Sequence, residues 1–286
     1  MSDLNAVQEV ALVAITAARD WIHEQFSEHG HSKDPVDHTL RRLCSYMSDR
    51  SQCVCYLVSA GFAWDGEIVL RSFYEANAKI WLICLSPQAQ RQALAEEFWG
   101  TLASAHDHKR AHRAEGAESS FRRRGKPDDE VVFSALRRKD LFDVGLGNKQ
   151  SRKAVEQKWS FTEIIKFLAA NPPEGFNLLD VTGLLHMYGQ ASHLIHSDDA
   201  ALDLMLDRQL RAPEELKILV SAHVCRMFSD LVSLWCFSAM TIAYRFNPKA
   251  RIGADLQRKF EVVHELAEPF MEAFHKSQAD FYDRYR

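Results

Sequence analysis

Apolar residues recur along this chain in steps of three and four, the spacing that gathers them on one face of a helix. The clearest case starts at Pro213, where Leu216, Leu219, Val220, Val224, Met227, Leu231, Leu234 and Trp235 follow the rule and predict a central bundle helix over 213–245. Comparable runs predict helices near 4–28, 35–60, 63–86, 87–116, 128–142, 160–170, 178–196, 199–211 and 255–285, with Pro269 kinking or dividing the last. Asp34-Pro35 and Ser86-Pro87 each set a capping side chain before a first-turn proline, and Ser160 and Glu163 have capping-box spacing. Ala212-Pro213-Glu214-Glu215 opens the long helix. In Ala60-Gly61-Phe62 the glycine can adopt the left-handed conformation that ends a helix, so the second and third helices should form an antiparallel hairpin. Strand-like runs flanking a tight Asn-Gly or Asp-Gly turn are missing. The expected fold is an all-α multi-helix bundle, with residues 1–286 as one helical domain.

One stretch departs from this periodicity. Between residues 117 and 159, "SSFRRRGKPDDE", "LRRKD" and "GNKQSRK" mix charge with Gly, Pro, Asn and Ser, which predicts a basic, loop-rich insertion in the bundle. Residues 101–160 hold 14 Lys+Arg against 9 Asp+Glu, a balance of +5; the whole chain carries −4, so the remainder carries −9. Arg122, Arg123, Arg124, Arg137, Arg138 and Lys139 are candidate nucleic-acid-binding residues, since such side chains neutralise phosphates; the plain alternative is a solvated loop.

Composition changes the picture only a little. With 47% hydrophobic residues, 26% charged, 12 Gly and 8 Pro, a disordered chain is excluded and helices are favoured over many short strands. The six cysteines sit mostly in apolar helical patterns with no signal peptide ahead of them, which reads as reduced thiols in the cytoplasm. Cys53 and Cys55 would face different sides of a helix, suiting neither a disulfide nor a Cys-x-x-Cys pair. The uncharged apolar stretch 231–244 is 14 residues long. That falls short of the roughly 18 residues needed to cross a bilayer, so no membrane association is expected.

Chemistry-bearing residues concentrate in two segments. In "MYGQASHLIHSDDA", Tyr188, Ser192 and His196 stand at i, i+4 and i+8 and share one helical stripe, with His193 about 100° away. A structural explanation also fits, because a histidine suits a helix C-terminus and Ser197, Asp198 or Asp199 can cap the next helix. In and just before "LRSFYEANAKIW", Glu67, Arg71, Glu75 and Lys79 alternate in sign at i, i+4 steps. That is the pattern of a solvated face, worth about 0.3 kcal/mol per pair. The flanking Ile68, Val69, Leu70, Phe73, Ile80, Trp81, Leu82 and Ile83 leave few directions open to solvent, however, and a buried Arg71–Glu75 pair would need further partners.

Taken together, the two segments resemble a family of bacterial all-helical proteins of unknown function whose recurring pattern is R-x-x-x-E followed by Y-x-x-x-S-x-x-x-H, a match at motif level over residues 36–245. The resemblance implies that Arg71, Glu75, Tyr188, Ser192 and His196 converge between facing helices as candidate catalytic residues, without metal or cofactor. More distantly, the helical frame is similar to the HEPN ribonucleases, which cleave RNA without metal through an Arg-x(4 to 6)-His motif. The match here, Arg258-x(5)-His264, is one that chance supplies in a chain with 13 His.

Two classes of function follow. If Arg71 and His196 meet, a guanidinium can hold a phosphate and a histidine can move the proton of a ribose 2′-hydroxyl, giving a metal-independent ribonuclease, or a toxin or defence protein directed at RNA. The other class is a non-enzymatic scaffold or binding protein with a buried Arg-Glu-Tyr-Ser-His network. A homo-oligomer is compatible with either. A di-metal site is disfavoured because Glu261-Val-Val-His264 and Glu272-Ala-Phe-His275 lie 11 residues apart on one predicted helix, not on facing ones. His106, His108 and His112 read as a solvated face, and no Gly-x-Ser-x-Gly elbow, phosphate loop or dinucleotide-binding glycines occur.

Overall fold

Helix-end chemistry sets most boundaries in the computed structural model, which describes residues 4–31, 33–123, 149–178 and 180–283. The helices are α1 (Leu4–His29), α2 (Pro35–Ser59), α3 (Ala63–Leu85), α4 (Gln88–Glu97), α5 (Ala103–Arg123), α6 (Lys149–Lys158), α7 (Phe161–Ala170), α8 (Leu184–His196), α9 (Asp199–Leu210), α10 (Pro213–Phe246) and α11 (Ala254–Asp283). A π turn at Phe98–Leu102 joins α4 to α5, and a 3-10 turn at Asp180–Gly183 leads into α8. Among the described residues there is no β-strand, so the all-α expectation holds.

The capping signals act largely as read. Asp34 accepts a hydrogen bond from the Val36 amide at 2.9 Å, Pro35 and Pro213 occupy first-turn positions, and Ser160 Oγ accepts from the Glu163 amide at 3.4 Å. After α2, the Phe62 amide donates to Leu57 O at 2.8 Å and the Gly61 amide to Val58 O at 3.0 Å. That is the Schellman pair, and Gly61 at φ +85° supplies the left-handed residue it needs. The connection folds α3 back against α2.

Several expectations need correction. The N-cap position of the following helix falls to Pro87 and not to Ser86, whose hydroxyl donates back to Leu82 O at 2.6 Å at the end of α3. The run predicted as one helix over 87–116 is interrupted by the π turn at Phe98–Leu102, and α5 continues to Arg123. Residues 117–123 and 149–158 are helical where loop was expected, because α5 extends and α6 forms. The helix predicted at 128–142 lies outside the described residues. Pro269 sits inside α11 without dividing it.

The chain forms two compact units, Met1–Ser86 with Ile165–Arg286, and Pro87–Ile164. In the first, α10 is central and packs on α1, α3 and α11, while α2 and α8 pack on α3, and α9 on α8. Trp81, Trp235, Tyr74, Phe73 and Phe228 fill its interior, each such side chain contributing about 1.5–3 kcal/mol by leaving water. One buried polar chain is fully paired: Trp81 Nε1 donates to Ser238 Oγ at 2.9 Å, Ser238 Oγ donates to Asn77 Oδ1 at 2.6 Å, and Asn77 Nδ2 donates to Phe73 O at 2.8 Å. By length and composition α10 could cross a membrane, but half of its most apolar window is buried against its neighbours. In the second unit Trp159 Nε1 donates to Glu97 Oε1 at 2.6 Å, beside the Lys158–Glu97 pair at 2.7 Å, and the Phe98 ring lies 5.2 Å from that of Trp159.

Candidate functional site

Helix α3 carries its charges one turn apart, so Glu67, Arg71 and Glu75 form a single stripe, and the packing of α8 and α10 on α3 decides what each meets. The solvated-face reading fails at both ends of this stripe. Glu67 has no exposed side-chain surface, and burial lowers the Lys79 pKa, with Glu75 working the other way.

Toward α8, four of the five residues named from sequence converge. Arg71 Nη2 donates to Tyr188 OH at 2.8 Å, Arg71 Nη1 donates to Ser192 Oγ at 3.3 Å, and Tyr188 OH donates to Glu75 Oε1 at 2.8 Å. The Arg71 guanidinium carbon lies 4.4 Å over the Tyr188 ring, and its Nε, 3.6 Å from Glu75 Oε1, has the charge attraction but no hydrogen bond. Tyr188 OH thus accepts from one residue of α3 and donates to another, one turn on. Burial raises the Tyr188 pKa, so the phenol keeps its proton at neutral pH and is no base.

His196 is not part of this hydrogen-bonded group. It sits exposed at the C-terminus of α8, and among the described residues its ring makes no hydrogen bond or ion pair. His193, off the stripe, places Nδ1 2.6 Å from Asp198 Oδ2, and Asp198 Oδ1 accepts from the Ala201 amide at 3.2 Å as the N-cap of α9. The pair with His193 holds the Asp198 carboxyl below its ordinary range, with smaller help from the Ala201 amide and from His196. Of the basic candidates, Arg123 is exposed at the end of α5 and the backbone of Arg122 lies in that helix; Arg124, Arg137, Arg138 and Lys139 fall outside the described residues. The Arg258-x(5)-His264 match is explained locally: Arg258 pairs with Glu265 at 2.6 Å, and His264 Nε2 lies 3.1 Å from Ser233 Oγ on α10.

Toward α10 lies a second polar group that the sequence reading missed. Arg226 pairs with buried Glu67 through Nη2 and with Asp230 through Nη1 at 2.5 Å, and Tyr74 OH donates to Asp230 Oδ2 at 2.6 Å. Burial works against the Arg226 charge, but Asp230 and Glu67 outweigh it and hold its proton more firmly than usual. Burial raises the Glu67 pKa despite Arg226. Beside them, the His223 ring stacks on Trp64 with centroids 3.8 Å apart, and the Arg208 guanidinium lies 3.0 Å from the centroid of the Trp64 ring. His223 Nε2 is 3.5 Å from Glu67 Oε2, an ion pair only if the ring were protonated. Burial, then the nearby Arg226 and Arg208, push its pKa down to about 2, so we take it as neutral. A signal for this group exists in the sequence: His223, Arg226 and Asp230 interrupt a long apolar helix at i, i+3 and i+7.

Among the described residues no group of three or more His, Cys, Asp or Glu side chains has the arrangement of a metal site, and all six cysteines are free thiols. Comparison with family models, curated proteins and solved structures finds no match for this chain.

Proposed function

We propose that the chain is a non-enzymatic helical binding or scaffold protein in which Arg71, Glu75, Tyr188 and Ser192 clamp α8 onto α3. The observation that carries this reading is the state of Arg71: both terminal nitrogens donate inward and the Tyr188 ring lies against the guanidinium. A guanidinium that binds a scissile phosphate must turn a donor pair toward it, and His196 is not joined to this one. The clamp holds the α8–α9 arm, whose outer helix presents Leu202, Met205, Leu206 and Leu210 to solvent, the last at 77% exposure. Asp199 and Asp203 flank that apolar stripe, so charge complementarity selects a partner protein offering an apolar stripe with a basic rim.

The test combines activity with stability. Purified chain incubated with single-stranded RNA in chelator should leave it intact, Arg71→Met should lose about 1–3 kcal/mol by removing the donors to Tyr188 and Ser192 and the counter-charge of Glu75, and His196→Ala should melt as wild type does. RNA cleavage that disappears in His196→Ala would overturn the proposal. A basic amphipathic Leu/Lys peptide should bind the wild type and not the Leu202→Ser, Leu206→Ser double variant; equal binding to both would remove α9 as the surface.

A second reading, a metal-independent ribonuclease or a toxin or defence protein directed at RNA, has one observation in its favour. The His193–Asp198 pair and exposed His196 stand within one turn of each other at an accessible helix end, where a proton could be moved. On this reading RNA binding weakens steeply with salt, because each phosphate contact releases counterions.

A further inference from the structure

We propose that the cleft between α1 and α2 binds a small phosphate-bearing organic molecule of the size and polarity of a nucleoside monophosphate. The cleft holds about 510 Å³ and is lined by residues 19–26 of α1, by residues 41–52 of α2 and by Trp235 of α10. Small-molecule sites occupy roughly 300–1,000 Å³.

The sequence explains why these two helices part. Helix α1 turns Val7, Ala11, Ala14, Ile15, Ala18 and Ile22 inward and packs on α10 and α11, while α2 packs chiefly on α3. The positions of α2 that would close against α1 are Arg41, Ser45, Ser48 and Gln52, a stripe at steps of three and four where a helix pair ordinarily carries apolar residues. A polar seam in that place is expensive unless it faces water or a ligand.

Three features give the cleft its chemistry. Its floor is apolar, from Ile22, Phe26 and Trp235, and Trp235 is 1% exposed with an indole N–H that has no hydrogen-bond partner among the described residues. Trp81 and Trp159, by contrast, both donate to side-chain oxygens. The walls carry Arg19, Asp20 and Asp49, none of which has an ion pair among the described residues. Charge is also graded along the cleft. His23 lies six residues before the end of α1 and Arg41 six after the start of α2, so both stand near the 30–34 turn. Asp49 is eight residues beyond Arg41, about 12 Å along the helix.

That gradient defines the ligand. An anionic group meets Arg41 and His23 at the turn end, with Arg19 one helical turn further back on α1 beside Asp20; Arg41 Nη2 is already committed to Phe26 O at 2.9 Å, which leaves its other donors. A planar body lies along the apolar floor, beside the Phe26 ring that the Arg41 guanidinium covers at 4.5 Å. A donor-and-acceptor edge reaches Asp49 and Gln52, whose carboxylate and amide read amino and carbonyl groups together. This inference is independent of the clamp and of α9.

The test is calorimetric titration of the full chain with AMP, GMP, CMP, UMP and inorganic phosphate. Arg19→Glu and Gln52→Leu, both at exposed positions, serve as variants, with thermal melts to confirm that they fold. At least one nucleotide should bind one to one, about tenfold or more tighter than phosphate, and lose about tenfold in Arg19→Glu and measurably in Gln52→Leu. No heat with any of the four at about 1 mM, equal affinity for phosphate, or binding unchanged in both variants would each overturn the proposal.

Discussion

Replacing His223 by glutamine isolates one buried ring whose protonation the fold opposes. Burial first, and then Arg226 and Arg208, push its pKa down to about 2, against about 6.5 in an unfolded chain. The native value lies below the unfolded one, so this contribution to stability is complete above pH about 6.5 and is lost as pH falls toward 2. Over the roughly 1.5 pH units from 6.5 to 5.0, at about 1.4 kcal/mol each, the loss comes to about 2 kcal/mol. Glu67 acts in the opposite sense: its raised native pKa gives stability that is present below about 4.5 and lost as pH rises. The two slopes partly cancel in the wild type, and only a comparison separates them. Urea unfolding of wild type and His223→Gln at pH 7.5, 6.0 and 5.0 supplies it. The stability difference should move against the wild type by about 2 kcal/mol between the extremes. Parallel pH dependence in the two proteins would refute the claim that the ring is held neutral.

Other expectations are local. Gly30→Ala would set a Cβ 2.6 Å from Phe26 O and 2.9 Å from Asp37 Oδ2, neither free to move far, so urea unfolding should show a loss of about 1–3 kcal/mol. Trp81→Phe leaves the Ser238 hydroxyl without its donor inside the core and should cost about 1–3 kcal/mol by thermal unfolding.

The long helices were legible because their apolar periodicity and their caps agree, as at Asp34-Pro35 and at Gly61. Four members of the clamp were legible for a different reason: Arg71 with Glu75, and Tyr188 with Ser192, are each a helical turn apart and can meet only if their helices face each other. His196 shared that spacing and still lies outside, because α8 ends there and the left-handed Ser197, at φ 49°, turns the chain away. The break at Phe98 was not legible, since a π turn keeps the helical pattern and merely adds a residue to it. For the Glu67–Arg226 pair only half was legible: charges inside an apolar helix flag α10, but nothing in the spacing names a partner 159 residues away on α3.

The stack of Arg208, Trp64 and His223 makes one indole an optical reporter on a single helix. Trp64 is one of six tryptophans, and a guanidinium from α9 lies against its ring together with an imidazole from α10. Any event that lifts α9, whether a docking partner or a change of solvent, takes Arg208 off the ring and admits water in its place. Emission from Trp64 should then move to the red while the buried Trp81 and Trp235 stay unchanged, so occupancy of the α9 surface can be followed in the native chain without a label.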